Sequence, residues 1–112
     1  MEFQIDGEIL RINDSQISLR GEIKEVLTAG NVAVVLLKVP EAEIDNRNVL
    51  GINSSGDQIW EIDPVASASE EDAPFIDLVE REGEIWALNW RGDEWCISPE
   101  TGEIKEKNFR RF

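Results

Sequence analysis

A nine-residue pattern occurs twice in this chain, and it constrains the fold more than any other feature of the sequence. Residues 49–57 read VLGINSSGD, and residues 85–93 read IWALNWRGD. In both copies an apolar run leads to an Asn, and a Gly-Asp pair follows after two intervening residues. Gly supplies the positive φ of tight turns, so the pattern is typical of a β-hairpin. The full repeat, residues 49–64 and 85–99, therefore predicts strand, turn and strand, used twice.

The rest of the chain has the same character. Gly-containing turn signals separate short β-rich runs at intervals of roughly 8–12 residues, which indicates an all-β protein. A length of 112 residues fits one domain, residues 1–112. We predict about ten short antiparallel strands in two meander sheets, arranged as two blade-like units or as a sandwich; a single curled sheet is the alternative. The run Val32–Leu37 lacks alternation, so we expect a central strand that is covered on both faces.

The charge balance limits the partners. The chain has 24 acidic and 11 basic residues, which gives a net charge of −13. Binding to nucleic acid through phosphates requires a basic stripe, so we expect no nucleic-acid partner. The acidity either maintains solubility or steers the protein toward a basic partner. The sequence leaves both interpretations open.

The chain contains no His, which removes the familiar Ser-His-Asp and Cys-His catalytic arrangements and most zinc sites. Cys96 lies in a predicted strand, so we interpret it as a buried structural thiol. No phosphate-binding glycine loop is present. We therefore predict a protein that is not an enzyme and has no cofactor and no metal. A hydrolase that uses two carboxylates in one cleft is the enzymatic alternative.

The most informative candidates for binding are aromatic. Trp90 takes the position that Ser54 has in the other copy of the repeat. Trp90 and Trp95 flank Arg91 and the turn glycine, which places them at a turn and its exit. We expect Trp90, Arg91 and Trp95 to bind a partner, since exposed Trp and Arg side chains are frequent anchors.

A second candidate is the segment 64–74, which is bounded by prolines and rich in acids. Glu70, Glu71 and Asp72 within it are candidates for binding a basic partner. The alternative interpretation is a mobile surface loop without a specific role.

Residues 49–60, VLGINSSGDQIW, resemble the blade repeat of pyrroloquinoline-quinone-type β-propellers. In such repeats an apolar strand ends at an Asp, a Gly turn follows, and a Trp ends the next strand. Cys96 takes the place of Trp60 in the second copy. The resemblance implies a β-meander with a Trp docked against the neighbouring sheet, but no cofactor, because a closed propeller needs at least four blades. The chain also resembles small bacterial all-β proteins of no known activity.

These observations favour an acidic protein–protein interaction module, similar to an immunity or inhibitor protein, with a basic protein as partner. The alternative is a module that binds a ligand or carbohydrate through surface Trp. The N-terminus has no leader-like pattern and no apolar run long enough for a membrane, so we expect a cytoplasmic protein without a membrane partner. Exposed edge strands either pair in a homodimer or are protected by acids such as Glu22, Glu94 and Glu103.

Overall fold

The computed structural model describes residues 1–64, 74–90 and 92–108. The described residues form eleven strands in three antiparallel sheets. Sheet 1 contains β1 (Phe3–Asp6), β2 (Ile9–Ile12) and β3 (Ser15–Ser18). Sheet 2 contains β4 (Ile23–Ala29), β5 (Val32–Leu37), β6 (Val49–Asn53) and β7 (Gln58–Glu61). Sheet 3 contains β8 (Phe75–Arg81), β9 (Glu84–Asn89), β10 (Glu94–Ile97) and β11 (Ile104–Asn108).

The predicted all-β class is confirmed. Strands pair only with their neighbours in the chain, so each sheet is a meander. The structure adds a third sheet to the two that we expected, because β1–β3 pair among themselves and do not extend sheet 2. Among the described residues, no helix is long and apolar enough to cross a membrane.

Sheet 2 lies between the other two sheets, and β5 shows why. Its side chains alternate between two apolar cores, and all six residues are buried. Val32, Val34 and Leu36 pack in the core between sheets 2 and 3. The intervening residues Ala33, Val35 and Leu37 pack in the core between sheets 1 and 2. The prediction of a central strand covered on both faces is therefore confirmed.

One buried amide links sheets 2 and 3. Asn48 is fully buried just before β6. Its Nδ2 donates to the carbonyl oxygens of Leu37 at 2.9 Å and Phe75 at 2.8 Å, and its Oδ1 accepts from the Phe75 N–H at 3.0 Å. A single side chain thus satisfies backbone groups where β5 ends and β8 begins.

Side chains of β4 also protect the open edge of β8. Lys24 donates from Nζ to the carbonyl oxygen of Ile76, and Glu25 Oε2 accepts from the N–H of Leu78 at 3.2 Å. An edge strand whose backbone groups are occupied is a poor template for another strand. A homodimer through edge strands was one of two alternatives from the sequence. It could not pair with the Ile76 carbonyl or the Leu78 N–H of β8, because β4 side chains already bind both groups.

Candidate functional site

The two copies of the repeat build the same turn. Asn53 donates its N–H to the carbonyl oxygen of Asp57 at 2.9 Å, and its Oδ1 accepts from the Asp57 N–H at 2.9 Å. Asn89 makes the same pair of contacts with Asp93, at 3.1 Å and 3.0 Å. The turn glycines have φ of 85° at residue 56 and 83° at residue 92. The shared residues therefore stabilise hairpins and do not form a chemical site.

The copies differ in what the turn presents to solvent. Ser54 is half-buried, whereas Trp90 is 62% exposed, the largest exposure among the large apolar side chains of the described residues. The prediction of an exposed Trp at this turn is confirmed. Arg91 lies outside the described residues, as do Glu70, Glu71 and Asp72.

The prediction that Trp95 is an exposed anchor is wrong. Trp95 is 3% exposed and packs edge-on against Phe75, with ring centroids 5.7 Å apart. It pairs with Ala87, while Trp60 pairs with Gly51, the equivalent of Ala87 in the repeat. A bulge at Ile59 adds one residue to β7. Trp95, rather than Cys96, is consequently the structural counterpart of Trp60.

Trp60 docks against sheet 3. Its indole N–H donates to the carbonyl oxygen of Pro99 at 2.7 Å. A Cβ placed on Gly51 would lie 2.2 Å from the indole, and one on Gly102 would lie 2.5 Å from it. The ring is thus held between a glycine of its own sheet and a glycine of the neighbouring sheet, which leaves no space for larger residues at either position.

We call the face of sheet 3 that points away from sheet 2 the outer face of sheet 3. Alternation along each strand defines its members, because directly paired residues share a face. The outer face of sheet 3 contains Asp77, Val79, Arg81, Glu84, Trp86, Leu88, Glu94, Cys96, Glu106 and Asn108. Its centre is apolar, and carboxylates surround that centre.

Glu94 is the residue of this face that sequence reasoning placed wrongly. We expected it to protect an edge, but β10 is an inner strand and Glu94 is fully buried. It forms an ion pair with Arg81 and accepts a hydrogen bond from Asn108 Nδ2 at 2.9 Å. The Arg81 guanidinium also lies 5.9 Å from the ring centroid of Trp86. A buried charge is retained here because ionic and polar groups compensate it.

Cys96 is fully buried, as predicted for a structural thiol. Burial, and a contact of 3.4 Å between Sγ and Oε2 of Glu84, raise the pKa of the thiol to about 11. At neutral pH the thiol is protonated, which makes it a weak nucleophile. Ligand atoms of Glu84, Cys96 and Glu106 lie within 4.8 Å of one another. Holding a metal there would require loss of the thiol proton and competition with Lys105, which lies 3.8 Å from Glu84.

A groove lies where sheets 1 and 2 end. This open groove of about 560 Å³ has both acidic and basic walls, including Glu22, Lys38 and Glu43. Its Arg20 is occupied by Asp45, at 3.1 Å, and by Glu61, at 3.3 Å. These ion pairs fasten the segment before β6, so we interpret the groove as structural.

A family model described as a domain of unknown function, DUF7957, matches residues 1–109. The chain belongs to this family. No curated protein matches the chain. The DUF7957 match covers every described strand, so the Trp90 turn and the outer face of sheet 3 belong to the family domain itself.

In this DUF7957 domain an exposed aromatic ring lies close in sequence to the outer face of sheet 3. The exposed ring of Trp90 extends from a turn that the Asn89 side chain stabilises. Only Asn89 separates Trp90 in the chain from Leu88, which lies on the outer face of sheet 3. The exposed Trp90 thus follows a hydrogen-bonded Asn at the end of β9, next to a sheet face that contains carboxylates.

Proposed function

We propose that this DUF7957 domain is a non-enzymatic interaction module that binds a positively charged protein, in the manner of an immunity or inhibitor protein. The observation that carries the proposal is Trp90, which is 62% exposed at the turn where the other copy of the repeat has Ser54. Exposing a large ring to water is unfavourable, and binding a partner would recover that free energy.

The geometry of the turn supports an anchor role. Asn89 and Asp93 fix the backbone on both sides of Trp90 through reciprocal hydrogen bonds. An anchor whose neighbouring backbone is held by hydrogen bonds loses less conformational entropy when it binds. Trp is also among the residues that contribute most to binding energy at protein interfaces.

The charge defines the partner. A net charge of −13 on 112 residues attracts basic proteins over several ångströms and accelerates their encounter. Salt screens this attraction over about 8 Å at physiological ionic strength. Association with the partner should therefore weaken as salt concentration rises.

The carbohydrate-binding alternative receives less support, because the burial of Trp95 leaves one ring where we expected two. The relationship to β-propeller blades and the absence of enzymatic activity stay predictions. A cytoplasmic location is part of the proposal, and a reduced, buried Cys96 is compatible with it.

The test compares three baits in affinity capture from native lysate at low and at high salt, with captured proteins identified by mass spectrometry. The baits are the native chain, Trp90→Ser and Ile59→Ser. Ile59 is 43% exposed on β7, so its substitution controls for loss of an exposed apolar side chain elsewhere. Thermal melts verify that each bait is folded.

We expect a basic protein to be captured by the native chain and by Ile59→Ser at low salt, and to be lost at high salt. Trp90→Ser should capture at least about tenfold less, equivalent to 1.4 kcal/mol. Equal capture by all three baits would remove Trp90 from the interface. A captured set without basic proteins would contradict the proposed function.

A further inference from the structure

The two copies of the repeat pack with equivalent faces together. Val49 in β6 and its equivalent Ile85 in β9 both lie in the core between sheets 2 and 3. Val34 in β5 and Leu78 in β8 also occupy equivalent positions in this core, because they pair with the equivalent residues Gly51 and Ala87. Sheets 2 and 3 thus turn equivalent faces of the repeat toward the same core.

This relation makes the remaining faces of the two sheets equivalent. Leu50 and Ile52 point from β6 to the side away from sheet 3, and Trp86 and Leu88 are their counterparts on β9. Sheet 1 covers Leu50 and Ile52, which are 1% and 0% exposed in the core that includes Leu10.

Among residues 1–64, 74–90 and 92–108, no further sheet covers the counterpart face. Arg81 reaches past Trp86 to Glu94, and Glu94 and Cys96 are buried. Val79, Trp86 and Leu88 are half-buried, and none of them belongs to either apolar core. The outer face of sheet 3 is therefore an apolar sheet surface whose equivalent in the same molecule is covered by a three-stranded sheet.

The charges on this face select the occupant. Four carboxylates lie on it, and two cations, Arg81 and Lys105, lie close to them. Glu94 is buried and paired with Arg81, and Glu84 lies beside Lys105. The exposed carboxylates of the face are therefore those of Asp77 and Glu106. Two such faces brought together in a dimer would repel each other, and each chain carries a charge of −13.

Sheet 1 of a second copy is also a poor cover. Its own outer face contains Gln4, Asp6, Ile9, Arg11, Gln16 and Ser18. That surface offers one apolar side chain, which is too little to cover Trp86 and Leu88. A second copy of the chain consequently fits the outer face of sheet 3 less well than a basic partner does.

We propose that the outer face of sheet 3 docks a β-hairpin or small sheet of the basic partner protein. Apolar side chains of the partner cover Trp86 and Leu88, and its Lys or Arg side chains reach Glu106 and Asp77 at the rim. This inference rests on the proposed function and specifies the surface and the chemistry of the partner. The Trp90 turn begins directly after β9, the strand that carries Trp86 and Leu88.

The test uses a disulfide-closed β-hairpin peptide with alternating Val and Lys as the probe, and the same hairpin with Glu in place of Lys as its control. Titration of the full chain is followed by calorimetry and by Trp fluorescence. Two matched pairs of variants separate the face from the rest of the surface. Leu88→Ser is compared with Ile59→Ser, and Glu106→Lys with Glu100→Lys, which makes the same charge change on the exposed β10–β11 turn.

We expect the Lys hairpin to bind and the Glu hairpin not to bind. Leu88→Ser and Glu106→Lys should each weaken binding about tenfold, while Ile59→Ser and Glu100→Lys change it less than about twofold. Equal weakening by both Glu variants would show general charge attraction, which overturns the docking face and leaves the proposed function intact. No binding of the Lys hairpin, together with loss of basic proteins from the capture experiment, would overturn both.

Two further outcomes would assign the face to another occupant and overturn the inference. One is a native chain that sediments as a dimer and becomes monomeric in Leu88→Ser. The other is a chain ending at Asn108 that binds the Lys hairpin while the full chain does not.

Discussion

Sheets 2 and 3 contain the same number of strands and share the repeat, yet they occupy different environments. Sheet 2 has an apolar core on each of its faces, whereas the described part of the chain forms a core on one face of sheet 3. The hairpin frame is the same in both, down to the hydrogen bonds of Asn53 and Asn89. The comparison shows that the frame determines the hairpin, while the side chains at outward positions determine what covers it.

The differences between the copies follow this division. Leu50 and Ile52 are aliphatic and lie under sheet 1, whereas their counterparts on sheet 3 are Trp86 and Leu88. Trp and Tyr are well suited to surfaces that are apolar and also meet water, because the ring carries a polar group at one end. The turn differs in the same way, because Trp90 occupies the position that Ser54 has in the other copy.

The largest expected effect comes from truncating equivalent residues on the two outward faces. Ile52→Ala should lower the free energy of unfolding by about 4 kcal/mol, because Ile52 is fully buried and the variant leaves a cavity. Leu88→Ala should cost about 1 kcal/mol, since half-buried Leu88 already contacts water. Urea unfolding of both variants measures the difference. Equal losses would mean that the outer face of sheet 3 is covered as completely as that of sheet 2.

A second comparison concerns the glycine that packs against buried Trp60 and a glycine that meets no side chain. Gly51→Ala should cost about 3 kcal/mol, because the added methyl group would overlap the indole of Trp60, which Gly102 holds from the other side. The control is Gly30→Ala, where the Cβ meets no atom within 4 Å and only the φ of 58° is unfavourable, at about 1 kcal/mol. The same unfolding measurement applies, and a loss at position 51 no larger than at position 30 would show that Trp60 can move aside.

The third comparison tests whether the two turns are equivalent. Asn53→Ala and Asn89→Ala should each cost about 1 kcal/mol, because each removes the oxygen that accepts the N–H of the turn Asp. Thermal melts of the two variants should agree within a few tenths of a kcal/mol. A much larger loss at Asn89 would indicate that this residue also supports the Trp90 surface.

The smallest expected effect is a dependence on pH at the junction of sheets 2 and 3. Partial burial and the neighbouring Asp77 carboxyl raise the pKa of Glu25 above its ordinary value of 4.5. The folded protein thus holds this proton more tightly than the unfolded chain, and the stabilisation is complete below the ordinary pKa and is lost as pH rises through the raised value.

Glu25→Gln keeps the neutral form at every pH. We expect its melting temperature to exceed that of the native chain by about 1–2 °C at neutral pH, and the difference to vanish near pH 4. Glu80→Gln, which removes the same charge from an exposed position of β8, is the control for the change of net charge. A constant difference between the native chain and Glu25→Gln across pH would exclude a role for the proton.

The main features of this fold could be predicted from the sequence alone. The all-β class, the repeated hairpin and the central position of Val32–Leu37 were all predictable, because each depends on local turn chemistry or on the period of apolar residues. The exposed Trp90 was predictable from its position beside a turn glycine. Each of these features is encoded within a few neighbouring residues.

The rest depended on pairing between distant strands. The bulge at Ile59 shifts β7 by one residue, which reverses the faces beyond it and hides the equivalence of Trp60 and Trp95. We expected Glu94 at a sheet edge because the local sequence pattern does not determine the order of strands in a sheet. Asn48 ends a polar stretch of the sequence, residues 40–48, and its burial depends on the contact between the end of β5 and the start of β8.

The alternating residues of β5 have a consequence for how the molecule opens. Both apolar cores include side chains of this one strand, and its backbone is hydrogen-bonded to β4 on one side and β6 on the other. Its amide protons can therefore reach solvent only when both cores are lost. In hydrogen–deuterium exchange, Val32–Leu37 should report the global free energy of unfolding, while the edge strands β1 and β11 exchange through local fraying.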